Sequence, residues 1–278
     1  MSGTSVTIAV VQMDCAVGVT EPNLNKIRHF SALAGRLGAA LVIFPECATT
    51  GYFIGEKVAA LADTPDGPIS RELADIARQS STHLVCGLYT RENGATRNSQ
   101  KIFAPDGACL GTYHKAHLFA SERQFYQAGD APLVVRTGLG TLGMTICYDL
   151  VFPGYVRKVV AMGADIIVNS TDWINDLYQR DTWGWGPERV GGLASTRALE
   201  NVVHLAMACR TGRENATEDL AFDSFGPSCI VSASGKFLAR VVEGEGLAVA
   251  TIDPADRELD RWRAIATYRE DRREQLYE

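Results

Sequence analysis

Short apolar runs alternate with amphipathic segments along most of the chain. In the first half, "TIAVVQM", "ALVIFPE" and "HLVCGLYTRE" predict strands, and the segments "NLNKIRHFSALAGRLGA" and "ISRELADIARQSS" between them predict helices. The stretch "SQKIFAPDGACLGTYHK" places a Pro-Asp-Gly turn between apolar runs, which indicates a β-hairpin. Alternation of strand and helix is typical of parallel strands joined by helical crossovers.

The second half of the chain repeats this order. The runs "TLGMTIC", "DIIVNST" and "VVHLAMACRTGRE" predict strands, "GYVRKVVAMGA" and "GGLASTRALEN" predict helices, and "SCIVSASGKFLARV" again predicts a hairpin. Two mixed sheets of this kind can stack face to face, each covered outside by its helices. We therefore predict an α/β protein that is internally duplicated and forms a four-layer α-β-β-α sandwich, with the 278 residues in a single domain.

The charge and cysteine content exclude several classes of function. The chain has 27 Lys and Arg against 33 Asp and Glu, so a net charge of −6 favours neither nucleic acid nor an anionic membrane as partner. No apolar run approaches the length of a membrane span, and the first residues lack the basic region of a signal peptide. The seven cysteines include no C-x-x-C pair, which indicates reduced thiols and a cytoplasmic location.

Polar residues with possible chemistry lie at the ends of predicted strands. Glu46 ends one strand, Cys147 ends another, and Lys115 follows the first hairpin. Ligands in such sheets collect at the carboxyl ends of the strands, and a strand-to-helix turn exposes a nucleophile beside free backbone N–H groups. Taken singly, Cys147 would be a core thiol and Lys115 a solvated side chain, whereas the place of Glu46 directly after "LVIFP" disfavours a surface carboxylate.

Three segments together resemble a known family. "FPECATTGY" around Glu46, "YHKAHLF" around Lys115 and "TICYDLVFP" around Cys147 are similar, in order and spacing, to the signature segments of the nitrilase superfamily of carbon–nitrogen hydrolases. The resemblance covers nearly the whole chain and implies the same four-layer sandwich. It implies Glu46 as general base, Lys115 as oxyanion stabiliser, Cys147 as nucleophile and Glu122, in "SERQFYQAGD", as a further catalytic carboxylate.

The resemblance also implies an assembly. C-terminal segments of the family often reach across a dimer, so we predict a homodimer or larger oligomer in which an extension at about residues 255–278 packs on a neighbouring subunit. Tyr268, Leu276 and Tyr277 are its candidate contacts.

The chemistry of these residue types supports the implied roles. Glu46 can take the proton of the Cys147 thiol if burial raises its pKa toward neutrality. Lys115 and the backbone N–H of Tyr148 can face the negative charge that develops on the carbonyl oxygen, and water then hydrolyses the thioester. This reaction requires neither a metal nor an organic cofactor.

Residues near Cys147 bear on the substrate. Tyr148-Asp149 is similar to the amidase and carbamoylase branches, whereas nitrilases usually carry Trp-Glu at these positions. Many members of those branches also have an arginine near the cysteine, but here Leu150-Val151-Phe152 occupies the stretch, which disfavours an acidic substrate. Arg157, Arg189 or Arg197 could still supply a charge from elsewhere.

We expect Tyr52, Tyr148 and Trp173 to contact the substrate. Trp173 opens the loop "TDWINDLYQRDTWGWGPERVGG", which could line either the pocket or a subunit interface. The predicted activity is hydrolysis of a small carboxylic amide to acid and ammonia. The alternatives are hydrolysis of an N-carbamoyl amino acid or amine, a nitrilase, and a catalytically silent binding or scaffold protein of the same fold.

Overall fold

The computed structural model describes residues 5–215, 221–255 and 271–276. Its strands are Val6–Asp14 (β1), Leu41–Ile43 (β2), His83–Glu92 (β3), Ala95–Phe103 (β4), Cys109–His114 (β5), Leu133–Thr137 (β6), Gly140–Ile146 (β7), Ile166–Thr171 (β8), Ile174–Asn175 (β9), His204–Asn215 (β10), Ala221–Phe225 (β11), Ser228–Val231 (β12), Phe237–Val241 (β13) and Gly246–Ile252 (β14). Its α-helices are Glu21–Arg36 (α1), Val58–Leu61 (α2), Pro68–Ser80 (α3), Pro153–Ala161 (α4), Leu177–Trp183 (α5) and Pro187–Asn201 (α6). Short 3₁₀ helices lie at Gly55–Lys57, Ala120–Gln124, Cys147–Val151 and Glu274–Leu276.

One run of six strands has the order β14-β1-β2-β3-β4-β5, in which β1 to β5 come from the first half of the chain and β14 comes from the second. β1, β2 and β3 are parallel, because α1 and the segment containing α3 return the chain to the same edge. β4 and β5 add to β3 as antiparallel hairpin strands, as the Pro-Asp-Gly turn predicts.

The second half forms a run with the same sequence of directions, in the order β6-β7-β8-β10-β12-β13. β7, β8 and β10 are parallel, and the flanking strands are antiparallel. The ends of β1 and β10 also pair in parallel, at Met13 with Arg210 and Asp14 with Thr211, so that the two runs meet. The protein is therefore an α/β protein, as predicted.

The buried core has two main parts. One cluster combines side chains from both strand runs, including Ile8, Ile43, Met144, Val168 and Leu205. The other joins α1 and α3 to the opposite side of β1 and β3. The apolar periodicity of α1 explains this placement, because Leu24, Ile27 and Ala34 recur on one face of the helix.

The periodicity did not predict β6 and β14, which lie at the ends of the two runs, or β11, which lies between β10 and β9. The stretch that contains β14 reads as a Gly-rich turn, but Gly246–Ile252 pairs antiparallel with β1. Such short segments become strands only through a neighbour that is distant in sequence. None of the helices in the described parts of the chain has the length and apolar character that a membrane crossing requires.

The predicted C-terminal extension falls largely outside the described residues. Tyr268 and Tyr277 are among those that the structure does not describe, and Leu276 is exposed. The single domain and the role of this extension in assembly stay predictions.

Candidate active site

Cys147 lies at the predicted strand-to-helix turn. β7 ends at Ile146, a 3₁₀ turn spans Cys147–Val151, and α4 begins at Pro153, whose fixed φ suits a first helical turn. Cys147 has φ +43°, in the left-handed region that non-glycine residues rarely adopt and that is found preferentially at functional sites. Its side chain is nearly buried, and its thiol donates to the backbone oxygen of Asp172 at 3.6 Å.

The Asp149 carboxylate holds this turn in place. Its Oδ2 accepts hydrogen bonds from the backbone N–H of Ile146 at 2.9 Å and from the Tyr113 hydroxyl at 2.7 Å. Its Oδ1 accepts from the backbone N–H of His117 at 2.9 Å and lies 2.8 Å from Nδ1 of the same residue. Sequence reasoning used Asp149 only as a marker of the branch and did not assign it this role.

Glu46 is completely buried just after β2. Its Oε1 accepts from Lys115 Nζ at 2.8 Å and from Asn98 Nδ2 at 2.7 Å, and its Oε2 accepts from the backbone N–H of Asp172 at 3.0 Å. Burial raises the pKa of Glu46 to about 7, although the neighbouring Lys115 ammonium lowers it. A carboxyl group with such a pKa can both accept and return a proton near neutral pH.

Lys115 joins two carboxylates. Its Nζ donates to Glu46 and, at 2.7 Å, to Glu122 Oε1. Burial lowers the pKa of Lys115, but Glu46, Glu122 and the thiol of Cys147 together raise it well above its ordinary value. The two carboxylates therefore favour the charged form of the lysine.

Glu122 is held from two further directions. Its Oε1 also accepts from the Tyr52 hydroxyl at 2.7 Å, and its Oε2 accepts from the backbone N–H of Phe119 at 2.6 Å. The side chain is nearly buried, and this carboxylate both belongs to the cluster and caps the 3₁₀ helix Ala120–Gln124 through its bond to Phe119.

The four predicted catalytic residues thus come together. Glu46, Lys115 and Glu122 are joined by direct hydrogen bonds, and Asp172 connects them to Cys147, because its N–H binds Glu46 and its carbonyl accepts from the thiol. Burial and the nearby Glu46 raise the pKa of the Cys147 thiol well above its ordinary value, although Lys115 lowers it. The resting group is therefore a neutral thiol that needs a base in order to attack.

A cavity of about 260 Å³ opens beside the thiol. Cys147 lines it, as do the three predicted substrate contacts Tyr52, Tyr148 and Trp173. Val151 is also in its wall, and the described lining residues include no lysine and no arginine.

The arginines proposed as distant cations do not line this cavity. Arg197 is nearly buried and donates to the backbone oxygens of Leu150 and Val151, and Arg189 donates to the backbone oxygen of Gly184. Arg197 therefore supports the backbone that follows Cys147.

Two residues at this site were not singled out from the sequence. Asn98 is a polar residue inside β4, and Arg210 is completely buried on β10, where it donates to Asp172 Oδ2 at 3.3 Å and pairs with Glu214. A charged side chain inside the predicted strand "VVHLAMACRTGRE" is the signal that could have identified Arg210, whereas Asn98 precedes the predicted hairpin and gave no such signal. Within the described ranges, no group of three or more His, Cys, Asp or Glu side chains is placed to hold a metal ion.

Comparison with known proteins agrees with the site. The family model of carbon-nitrogen hydrolases matches residues 7–261. The chain is 30% identical over 277 residues to a probable nitrilase of Schizosaccharomyces pombe, covering 97% of this chain and 96% of that protein. It is also 30% identical over 251 residues to the 2-oxoglutaramate amidase of Bacillus subtilis, covering 89% and 90%.

A solved structure of the amidase from Nesterenkonia sp. AN1 matches the fold with a TM-score of 0.82 and 26% identity, covering 100% of this chain and 97% of that one. That structure carries the acetamide moiety of fluoroacetamide covalently added at the active-site cysteine, and another structure of the same amidase contains butyramide. The sequence resemblance is thus confirmed, and the chain belongs to the carbon–nitrogen hydrolases of the nitrilase superfamily.

Proposed function

We propose that the protein hydrolyses primary amides of small, neutral carboxylic acids to the acid and ammonia. One observation carries this proposal. The buried cluster of Glu46, Lys115 and Glu122 adjoins a neutral Cys147 thiol, which lines a cavity that has no cationic side chain among its described wall residues. The cluster supplies a base and a cation for acyl transfer, and the cavity disfavours charged substrates.

The first half-reaction forms a thioester. Glu46 takes the thiol proton while Sγ of Cys147 attacks the amide carbon, and the negative charge that develops on oxygen faces Lys115 and the backbone N–H of Tyr148. Glu46 then gives its proton to the amide nitrogen, the carbon–nitrogen bond breaks and ammonia leaves. The pKa of Glu46, raised to about 7 by burial, suits both directions of this transfer.

The second half-reaction regenerates the enzyme. Water attacks the thioester carbon while Glu46 takes one of its protons, the carbon–sulfur bond breaks, and Glu46 returns the proton to the departing thiolate. Glu122 positions Lys115 in both steps, because it binds the ammonium opposite Glu46. Covalent addition of the acetamide moiety of fluoroacetamide at the active-site cysteine of the Nesterenkonia amidase supports the role of Cys147 as the nucleophile.

The cavity wall supports a neutral acyl group. Val151, Trp173, Trp183 and Trp185 offer apolar and aromatic surface, and burying a carboxylate there without a partner would cost several kcal/mol. Each methylene buried against this surface contributes ~0.8 kcal/mol. The butyramide complex of the Nesterenkonia amidase is in keeping with a short aliphatic amide in such a site.

The test is ammonia release from a panel of neutral amides, dicarboxylic monoamides, N-carbamoyl amino acids and nitriles. We expect neutral amides to have the highest kcat/KM. Val151→Arg should raise kcat/KM for acidic substrates relative to kcat/KM for neutral ones. Cys147→Ala should leave a folded protein without activity, and rapid quench of the wild type should yield an acyl adduct on Cys147. A preference for carbamoyl compounds, nitriles or acidic amides, or an adduct on another cysteine, would overturn the proposal.

The layering of the fold is part of the same proposal. The two six-strand runs have matching orders and share one apolar cluster, which supports two sheets packed face to face and an internal duplication. The cytoplasmic location and the homo-oligomer are likewise proposals that rest on the sequence.

A further inference from the structure

A second cavity of about 470 Å³ adjoins the one beside Cys147. The two cavities share Tyr52, Phe119, Ile174 and Gln179 as lining residues. The two cavities are therefore neighbours on opposite sides of the same side chains, and we call the one beside Cys147 the inner cavity and the second one the outer cavity.

Aromatic side chains dominate the outer cavity. Phe53, Phe119, Phe125, Tyr126 and Phe222 all line it. Its described lining includes one ionisable carboxylate, Glu122, which is already bound to Lys115, and no lysine or arginine. The remaining polar groups are neutral, so the space suits an uncharged, flat apolar group.

The aromatic wall is preformed. The Phe53 ring stacks on Phe222 with centroids 5.3 Å apart and an interplanar angle of 14°, and Tyr52 meets Phe53 edge to face at 4.8 Å. The backbone N–H of Phe53 donates to Glu214 at 2.9 Å, and Glu214 is paired with the buried Arg210. A wall anchored in this way loses little conformational entropy when a ligand binds.

We propose that the outer cavity binds an aryl group at the distal end of the acyl chain, so that the preferred substrates are ω-arylalkyl amides. This inference rests on the proposed function, because it places the amide carbon at Cys147. The short alkyl segment lies in the inner cavity, passes between Phe119 and Ile174, and delivers the ring to Phe53, Phe125 and Phe222.

The experiment compares butyramide with 4-phenylbutanamide, which has the same alkyl chain and an added ring. We expect kcat/KM of the wild type to be about tenfold higher or more for the phenyl compound, because ring burial adds aromatic contacts. Phe222→Ala and Phe125→Ala should each remove most of that preference through a higher KM for the phenyl compound. In both variants kcat/KM for butyramide should stay within about twofold of the wild-type value.

Leu110→Ala is the matched control, because Leu110 and Phe125 are equally exposed at 38% and Leu110 lies outside both cavities. Leu110→Ala should leave kcat/KM unchanged for both butyramide and 4-phenylbutanamide. The inference fails if the wild type has a higher kcat/KM for butyramide than for 4-phenylbutanamide. It also fails if Phe222→Ala and Phe125→Ala lower kcat/KM equally for both substrates.

Failure of the proposed function has a different signature. If no amide is hydrolysed, calorimetry with the Cys147→Ala protein still tests the outer cavity through binding. In that case 4-phenylbutanamide should bind at least about tenfold more tightly than butyramide, and a second substitution, Phe222→Ala, should abolish the difference. Equal binding of the two amides overturns the inference.

Discussion

Replacing Asn98 by leucine should move the acidic limb of the pH–activity profile to higher pH. Asn98 Nδ2 donates to Glu46 Oε1 at 2.7 Å, and both side chains are completely buried. This N–H stabilises the ionised carboxylate more than the neutral acid. Leucine has a similar size but no donor, so the substitution raises the pKa of Glu46.

The size of the shift follows from the hydrogen bond. A bond to a charged group contributes about 1.5–3 kcal/mol, which corresponds to roughly one to two pKa units. The pKa of Glu46, raised to about 7 by burial in the wild type, should therefore reach about 8–9 in the variant. Since the base form carries the reaction, kcat/KM at neutral pH should fall roughly 5–50-fold and recover as the pH rises through the new pKa.

The measurement is kcat/KM for a neutral amide across the acidic to alkaline range. Gln100→Leu is the matched control, because Gln100 is also buried on β4 and donates at 2.8 Å to the neutral Ser170 hydroxyl instead of to Glu46. This substitution removes a buried amide donor but does not contact the cluster. The acidic limb of its pH–activity profile should therefore have the same apparent pKa as in the wild type. The reasoning would be refuted if the acidic limb of Asn98→Leu stayed in place or moved to lower pH. It would also be refuted if Gln100→Leu shifted the limb as much as Asn98→Leu.

Two more predictions concern the backbone around the site. In Gly87→Ala, the new Cβ would lie 2.7 Å from the Cα of Glu46 and would displace that carboxylate. We therefore expect kcat to fall about 100-fold or more. Gly192→Ala is the control and should retain activity, because the space around Gly192 is open. Ser224→Ala removes the hydroxyl that donates to Asp172 Oδ1 at 2.6 Å. It should lower kcat several-fold and the free energy of unfolding by about 1 kcal/mol, measured by denaturant titration; an unchanged kcat would show that this bond does not position Asp172.

Local patterns sufficed for much of the fold. β3 spans the residues that its apolar run predicts, and the Pro-Asp-Gly turn joins β4 and β5. The strands that were missed include β14, a largely apolar segment of seven residues that was hidden because Gly244 and Gly246 indicate a turn. Their conformation depends on backbone pairing with a partner far away in the chain, which no local window contains.

The sequence by itself determined where the reactive groups are attached. A strand that ends at Ile146 and a helix that begins at Pro153 place Cys147 in a tight turn, and Glu46 follows a short apolar strand. These features depend on neighbouring residues alone, so periodicity and resemblance were enough to find them.

Only the tertiary structure decided the chemical state of these groups. Burial in the surrounding fold removes Glu46 from water and raises its pKa to about 7, whereas the hydrogen bonds from Lys115, Asn98 and Asp172 oppose that rise. Likewise, one wall of the outer cavity forms where Phe53 from the first half of the chain stacks on Phe222 from the second. Desolvation and contacts between distant segments are properties of the packed chain, and no local stretch of sequence contains them.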